Sequence, residues 1–509
     1  MTTINKNILN TINLIFIFHI LSRILIYFFY LTERNIYFSQ EFIEALNNKN
    51  FLQYFFFQHS IPIGNTIISK LALIFAGKDN LYFFYYFLNS MYSLTLIMCL
   101  SKIYKIIFKK YSYLFYLILI FTSISFLSYD SWRVNHYDHI LIFLFSIFSL
   151  FLTKVFMSNY KIVFDYKYII LMVSLMLFST LFIIIFIIFF TFIICFKKKF
   201  KINVRSLLNS SLIIIFFFSL TLIKNKVSIN DYTPTSIKGW NFIQRPLYTL
   251  GYEKYLNLYL NKTNISELNK LCVNEIKKNH NNDLFLSLVL HKCFFDFDKQ
   301  TYDYDLLQKF LKKNGIINKE LNKAIELDKQ DLENNNWKFS GGHEDVNLRT
   351  TVFFHKESSK LYFSSLVNYP YEMMVGTIST KQNQGIIFTF LNMFRWGSQL
   401  PHYYEPQHKD FNNDFIKILQ IIFSVSILIG LFLGIIYSYY SIISFLSGKK
   451  TKKFELLIFL LLLICTGYNL TTSFITCCEN QRNAVMIFPF IITISSLSLT
   501  TFYENYKKK

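Results

Sequence analysis

Carboxylates, guanidinium groups and imidazoles gather where long apolar runs of this chain end. A charge at such a boundary costs free energy unless it has a partner or a role. The candidates, in chain order, are Glu33, Arg34, Glu41, Glu44, His59, Asp130, Arg133, His136, Asp138, Glu479 and Arg482. Groups of these types can take up a proton, bind a phosphate or hydrogen-bond a polar substrate.

The first cluster follows the first apolar run. Glu33 and Arg34 come directly after it, and Glu41 and Glu44 would share one face of a helix because they are three residues apart. This face could line a cleft, or it could belong to an amphipathic interfacial helix with solvated carboxylates. His59 precedes an apolar stretch that is too short to span a membrane and is expected to lie at the interface. Taken alone, His59 also fits a structural hydrogen-bonding role.

The second cluster is a short loop predicted over residues 129–138, which carries Asp130, Arg133, His136 and Asp138. Arg133 could pair with either carboxylate. The mixture of His and Asp permits a metal, but the sequence does not favour one, and no metal or other cofactor is predicted.

The last external loop carries Glu479 and Arg482. Arg482 at the start of a span could hold a phosphate through paired hydrogen bonds, or it could reach to lipid headgroups. Cys272 and Cys293 fall in the large polar region, and the sequence leaves open whether they form a disulfide.

The composition identifies the elements that must position these groups. Of 509 residues, 53% are hydrophobic and 16% are charged, against roughly 25% charged in a typical globular chain. This excludes disordered and low-complexity classes and disfavours a compact soluble protein. The net charge of +21 comes from Lys clusters beside apolar runs, which fits the positive-inside rule better than nucleic-acid binding.

The apolar runs predict an all-α polytopic membrane protein with about ten spans. These spans lie near 11–31, 81–101, 113–129, 139–157, 168–181, 182–196, 207–224, 413–436, 454–470 and 484–501. The uncharged stretch 168–196 is read as a hairpin of two short helices, because Lys clusters flank it on both sides. Both chain ends are then expected in the cytoplasm.

Three parts follow from this pattern. An N-terminal transmembrane module covers residues 1–224 and has an external first loop at 32–80. A mixed external soluble domain, on the periplasmic side, covers 225–412, and a C-terminal transmembrane module covers 413–509.

Several short segments resemble the GT-C superfamily of polytopic glycosyltransferases, which includes protein O-mannosyltransferases and lipid A aminoarabinose transferases. Within it, the chain looks like an uncharacterised bacterial branch. The similar segments are residues 40–44, 59–65, 129–132, 238–242, 342–344, 368–372 and 479–482. Ile63 stands where the second Pro of a Pro-Pro pair is usual, and Glu44 stands where an Asp is usual.

The resemblance implies transfer of a sugar from a polyprenyl-phosphate donor to a glycan, lipid or protein acceptor at the outer face of the cytoplasmic membrane. It implies Glu44 as the general base, with Glu41 and Glu33 as alternatives and Asp130 as a second acidic residue. Arg133, Arg482 and Arg34 would bind the donor phosphate.

The same resemblance implies that four further side chains contact the substrate: His59, His136, Asp138 and Glu479. The competing interpretation is a transporter or flippase of a lipid-linked or small substrate. It is disfavoured because most charges avoid span centres, with Arg23 as an exception, and because the two halves do not match. A third interpretation is a membrane scaffold without enzymatic activity.

Overall fold

The computed structural model describes most of the apolar part of the chain and part of the polar region. The described residues are 3–29, 63–131, 137–157, 166–178, 182–195, 204–229, 232, 246, 249–251, 254–255, 257–258, 294–296, 301–333, 348–378, 414–449, 452–475 and 487–507. Nearly all of them are helical, which confirms the all-α class.

A helix occupies each of the ten predicted apolar runs, and α2 lies in the predicted first loop. The described residues before the polar region contain eight helices: α1 (Thr3–Phe29), α2 (Ile63–Ala76), α3 (Leu81–Phe108), α4 (Tyr113–Ser131), α5 (Tyr137–Met157), α6 (Tyr166–Phe178), α7 (Phe182–Cys195) and α8 (Val204–Ile229). Six helices of the described chain are long and apolar enough to cross a bilayer, which makes this a multi-pass membrane protein.

The uncharged stretch 168–196 contains two helices, as predicted, rather than one. α6 has 13 residues and α7 has 14, so each is about 20 Å long at 1.5 Å per residue. The hydrocarbon core is about 30 Å thick. Neither helix reaches the length of the six long spans, although both are strongly apolar.

The predicted loop 129–138 is shorter than expected. α4 continues through Ser131 and α5 begins at Tyr137, so only residues 132–136 separate the two helices. Asp130 therefore lies in the last turn of α4 and is buried, and Asp138 lies in the first turn of α5.

Aromatic side chains form the centre of the bundle. Phe148 of α5 packs edge-on against the rings of Phe182 and Phe189 on α7, and Phe145 packs against Phe490 near the C-terminus. With little difference in hydrophobicity between lipid and protein, such close packing is a main source of helix association.

The described C-terminal part of the chain adds three helices to the bundle: α13 (Asp414–Leu446), α14 (Lys453–Ile475) and α15 (Phe488–Lys507). Gly430 and Gly434 are one turn apart on α13 and face α15. A Cβ at Gly430 would lie 2.7 Å from Cα of Ser495, and the Ser495 hydroxyl donates to the carbonyl of Ile427 at 3.0 Å. Small residues thus let two helix backbones approach closely.

The described residues from 249 to 378 form a separate unit, here called the inserted region. Its elements are β1 (Phe295–Asp296), β2 (Thr301–Tyr302), α9 (Tyr304–Lys313), α10 (Lys319–Glu333), α11 (Arg349–Asn368) and α12 (Pro370–Ile378). The two strands pair antiparallel. This unit has its own hydrophobic core, distinct from that of the bundle. Apart from this strand pair its described elements are helices.

Candidate functional site

A buried ion pair joins α1 to α4. Arg23 Nε donates to Asp130 Oδ2 at 3.0 Å, and the two side chains are 2% and 1% exposed. The residues are 107 positions apart in sequence. Removing a charge from water costs several kcal/mol unless a partner and further hydrogen bonds compensate. The buried pair therefore requires additional hydrogen bonds to both side chains.

The other two guanidinium nitrogens of Arg23 donate to residues of the same two helices. Nη2 donates to the carbonyl of Ser123 at 2.6 Å. Nη1 lies 3.2 Å from the Ser123 hydroxyl and 3.1 Å from the Ser22 hydroxyl. The Tyr86 hydroxyl of α3 donates to the backbone carbonyl of Arg23 at 3.0 Å. The guanidinium is therefore fixed in position and orientation.

His19 lies one helical turn before Arg23 and is completely buried. Its Nε2 is 3.1 Å from the carbonyl of Ser90, which can only accept, so Nε2 carries the proton. Its Nδ1 is 2.9 Å from the Ser123 hydroxyl. That hydroxyl accepts from Arg23 and is free to donate to Nδ1. The hydrogen bonds therefore assign His19 as the Nε2–H tautomer.

These contacts close into a ring across α1, α3 and α4, here called the polar ring. Ser93 Oγ is 3.1 Å from His19 Nε2 and donates to Asp130 Oδ2 at 2.8 Å. Arg23 then connects Asp130 to Ser123, and Ser123 connects back to His19. The ring contains one cation and one anion, so it carries no net formal charge from these two groups.

One carboxylate oxygen of Asp130 has no hydrogen-bond partner among the described residues. Oδ2 receives both Arg23 and Ser93, whereas Oδ1 is buried and accepts no hydrogen bond from the described residues. The Asn89 side-chain amide donates to the backbone carbonyl of Asp130 at 3.0 Å, which holds the end of α4 against α3. A fixed carboxylate with one free acceptor oxygen is suited to receive a proton donor such as a hydroxyl.

Helix α2 adds a second polar surface inside the bundle. Asn65, Thr66 and Ser69 are buried, whereas the apolar residues Ile74 and Phe75 are 65% and 75% exposed. Asn65 Nδ2 and Thr66 Oγ1 have no hydrogen-bond partner among the described residues. This distribution is the reverse of a water-soluble helix and matches one whose apolar side faces lipid.

The structure describes few of the residues singled out from sequence. Asp130 is buried in the polar ring and pairs with Arg23, whereas Arg133, which the sequence offered as a partner for either Asp130 or Asp138, lies outside the described residues. Asp138 is placed in the backbone of α5, but its side chain lies outside the described residues. The remaining predicted residues lie wholly outside the described residues, backbone included: Glu33, Arg34, Glu41, Glu44, His59, Arg133, His136, Glu479, Arg482, Cys272 and Cys293.

Two members of the site were not candidates from sequence. Arg23 stood out only as a charge inside a span, and His19 not at all. The available signal was a basic residue and an imidazole four residues apart, hence on one helix face, within an apolar run. Among the residues that the structure describes, no three His, Cys, Asp or Glu side chains form a metal-binding group.

The chain was also compared with known proteins. Protein-family models, curated proteins and solved structures gave no match to it.

Proposed function

We propose that this protein is a membrane glycosyltransferase that moves a sugar from a polyprenyl-phosphate donor to an acceptor hydroxyl at the outer face of the membrane. The observation that supports it best is Asp130. This carboxylate is anchored through Oδ2 by Arg23 and Ser93, has no partner for Oδ1 among the described residues, and lies at the end of α4. A lipid-tethered donor requires its site at such span ends, because its tail stays in the bilayer.

In the proposed reaction, Asp130 Oδ1 accepts the acceptor hydroxyl and orients it. Glu44 is the proposed base that takes the proton as the hydroxyl oxygen bonds to the sugar carbon. The bond from that carbon to the phosphate oxygen breaks, and its electron pair leaves with the phosphate. Arg133, Arg482 and Arg34 are proposed to neutralise the phosphate. Attack opposite the leaving group inverts the sugar carbon.

The proposed topology has ten spans with both chain ends in the cytoplasm. A helix in each of the ten apolar runs supports this count. The division of 168–196 into α6 and α7 supports it further, because two crossings leave the flanking Lys clusters on one side. The inserted region would then lie outside the membrane on the same side as Asp130.

A transporter remains a second candidate, and the polar ring is the observation that favours it. His19 lies near the middle of the apolar segment of α1, and His and Asp side chains inside spans often relay protons in transporters. The transferase differs in requiring a chemical step at the donor, so donor cleavage separates the two functions.

The test uses the purified full chain in lipid nanodiscs with a panel of polyprenyl-phosphate-linked hexoses and pentoses. Release of free sugar measures transfer to water and needs no known acceptor. We expect Asp130→Asn to reduce release by about 100-fold, the size of a lost proton-handling or orienting group.

The double variant Arg23→Met with Asp130→Asn is the matched control. It removes both charges, so we expect it to recover thermal stability without recovering sugar release. Equal release by the double variant and the wild type would reduce Asp130 to a structural residue. Accumulation of a substrate in proteoliposomes, with no donor cleavage, would support the transporter instead.

A further inference from the structure

One side of α12 and the end of α11 is apolar and exposed. On α12 the exposed residues fall at i, i+3, i+4 and i+7, which places them on one helix face. Together with two residues of α11 they form the apolar stripe, with exposed fractions of Phe363 62%, Val367 80%, Tyr371 70%, Met374 52%, Val375 41% and Ile378 44%. A soluble helix normally turns such a face toward its core.

The apolar stripe is not the core-facing side of α12, because a different side of this helix packs against the core of the inserted region. Met373 is 1% exposed and belongs to the core of the inserted region. Gly376 lies so close to Thr249 that a Cβ would collide with Cγ2 of that residue. Glu372 pairs with Lys254 at 3.3 Å at the edge of the stripe. The exposed side is therefore a separate surface.

Exposed ion pairs lie elsewhere on the inserted region. Lys329 pairs with Asp305 between α9 and α10 at 2.8 Å, and Lys356 pairs with Glu320 between α10 and α11 at 2.9 Å. The region is thus two-sided, with ion pairs on one surface and an uncharged aliphatic and aromatic stripe on another. Stripes of this kind mark a contact with protein or membrane.

We infer that the apolar stripe lies on the surface of the same membrane that the long helices cross. The chain enters and leaves the inserted region through α8 and α13, so the region is held beside a bilayer. Both of those helices expose apolar side chains such as Ile215, Ile223 and Ile421, and the stripe continues this lipid-facing character. Tyr371 is of a residue type enriched at the membrane–water interface, and Phe363 is of a type common on the buried face of interfacial helices.

Charge supports lipid as the occupant. Lys254 is 54% exposed, and its ammonium lies over the ring of Tyr369 at 5.6 Å. Lys360 is 46% exposed, sits one turn from Phe363 and donates to Glu357 at 2.7 Å. Both ammonium groups are paired with a glutamate but partly exposed, so each can also contact a lipid phosphate beside the apolar stripe. Docking would restrict the rotation of the inserted region about its two connections, whatever reaction the protein performs.

The test places a genetically encoded coumarin amino acid in the full chain, reconstituted in nanodiscs with or without brominated lipid. Met374 and Ile378 are the test positions. Ile421, which is 54% exposed on α13, is the lipid control, and the exposed Lys312 of α9 is the water control. Melting temperature and size-exclusion profile confirm that each labelled protein is folded.

We expect brominated lipid to quench the label at Met374 and Ile378 nearly as strongly as at Ile421, with loss of the iodide quenching seen at Lys312. Iodide quenching equal to that at Lys312 would mean that the stripe faces water and would overturn the inference. Loss of quenching by both agents would mean that protein covers the stripe, which also overturns it.

Discussion

Asp130 of the bundle and Asp328 of the inserted region are both buried carboxylates, 1% and 2% exposed, but they differ in how they are satisfied. Asp328 receives the backbone N–H groups of Arg349 and Thr350 at 2.9 and 2.8 Å. Its Oδ2 also accepts the Thr350 hydroxyl at 2.7 Å and the Tyr304 hydroxyl at 3.2 Å. Both of its oxygens are thus occupied, whereas Asp130 Oδ1 has no hydrogen-bond partner among the residues that the structure describes.

The difference follows from the donors available to each carboxylate. Asp328 belongs to α10, and its side chain lies at the N-terminus of α11. The N–H groups there lack intrahelical partners, and the helix dipole favours an anion. Asp130 lies at the C-terminal end of α4, where free N–H groups are lacking, so a cation from another helix is required. A fully occupied carboxylate has a structural role. An anchored carboxylate with one open oxygen can still receive a ligand.

The largest expected effect comes from breaking the ion pair. Arg23→Met leaves Asp130 buried without a counter-charge, and we expect a loss of about 3–5 kcal/mol in unfolding free energy. It is measured by denaturant-induced unfolding of the full chain in detergent. Arg23→Met combined with Asp130→Asn should be close to wild type. If the double variant is as unstable as the sum of the single variants, the two charges do not stabilise each other.

An intermediate effect is expected at the saturated carboxylate. Asp328→Ala leaves the N–H groups of Arg349 and Thr350 without acceptors, which should destabilise the inserted region by about 1–3 kcal/mol. Hydrogen exchange of the first-turn amides of α11 in the full chain measures this. Sugar release should persist, in contrast to Asp130→Asn. Loss of release without faster exchange would contradict a purely structural role.

The smallest effect is expected at an exposed carboxylate. The hydrogen bond from Lys329, and then its charge, lowers the pKa of Asp305 from its ordinary value of 3.8. Its stabilisation is therefore present above that value and is lost as the pH falls through the lowered pKa. Because Asp305 is 80% exposed, salt screens the pair. Asp305→Asn should leave hydrogen exchange in α9 and α10 almost unchanged at pH 7. A change as large as that of Asp328→Ala would show that burial does not decide the outcome.

Part of the candidate site was predictable. A carboxylate at the end of an apolar run identified Asp130, because such a charge needs a partner. Its partner was not identifiable, since Arg133 is close in sequence whereas Arg23 is 107 positions away. The pairing of Asp328 with α11 was equally hidden, because a capping side chain from a neighbouring helix leaves no local sequence pattern.

The sequence alone determined that this is a helical membrane protein and where its apolar helices lie, since run length and the absence of charge depend only on local composition. It also predicted two helices in 168–196, where the described residues contain α6 and α7. Only the tertiary structure decided which polar groups meet. His19, Arg23, Ser93 and Asp130 come from three helices, and their contacts depend on the rotation of each helix about its axis. Packing of apolar side chains sets that rotation.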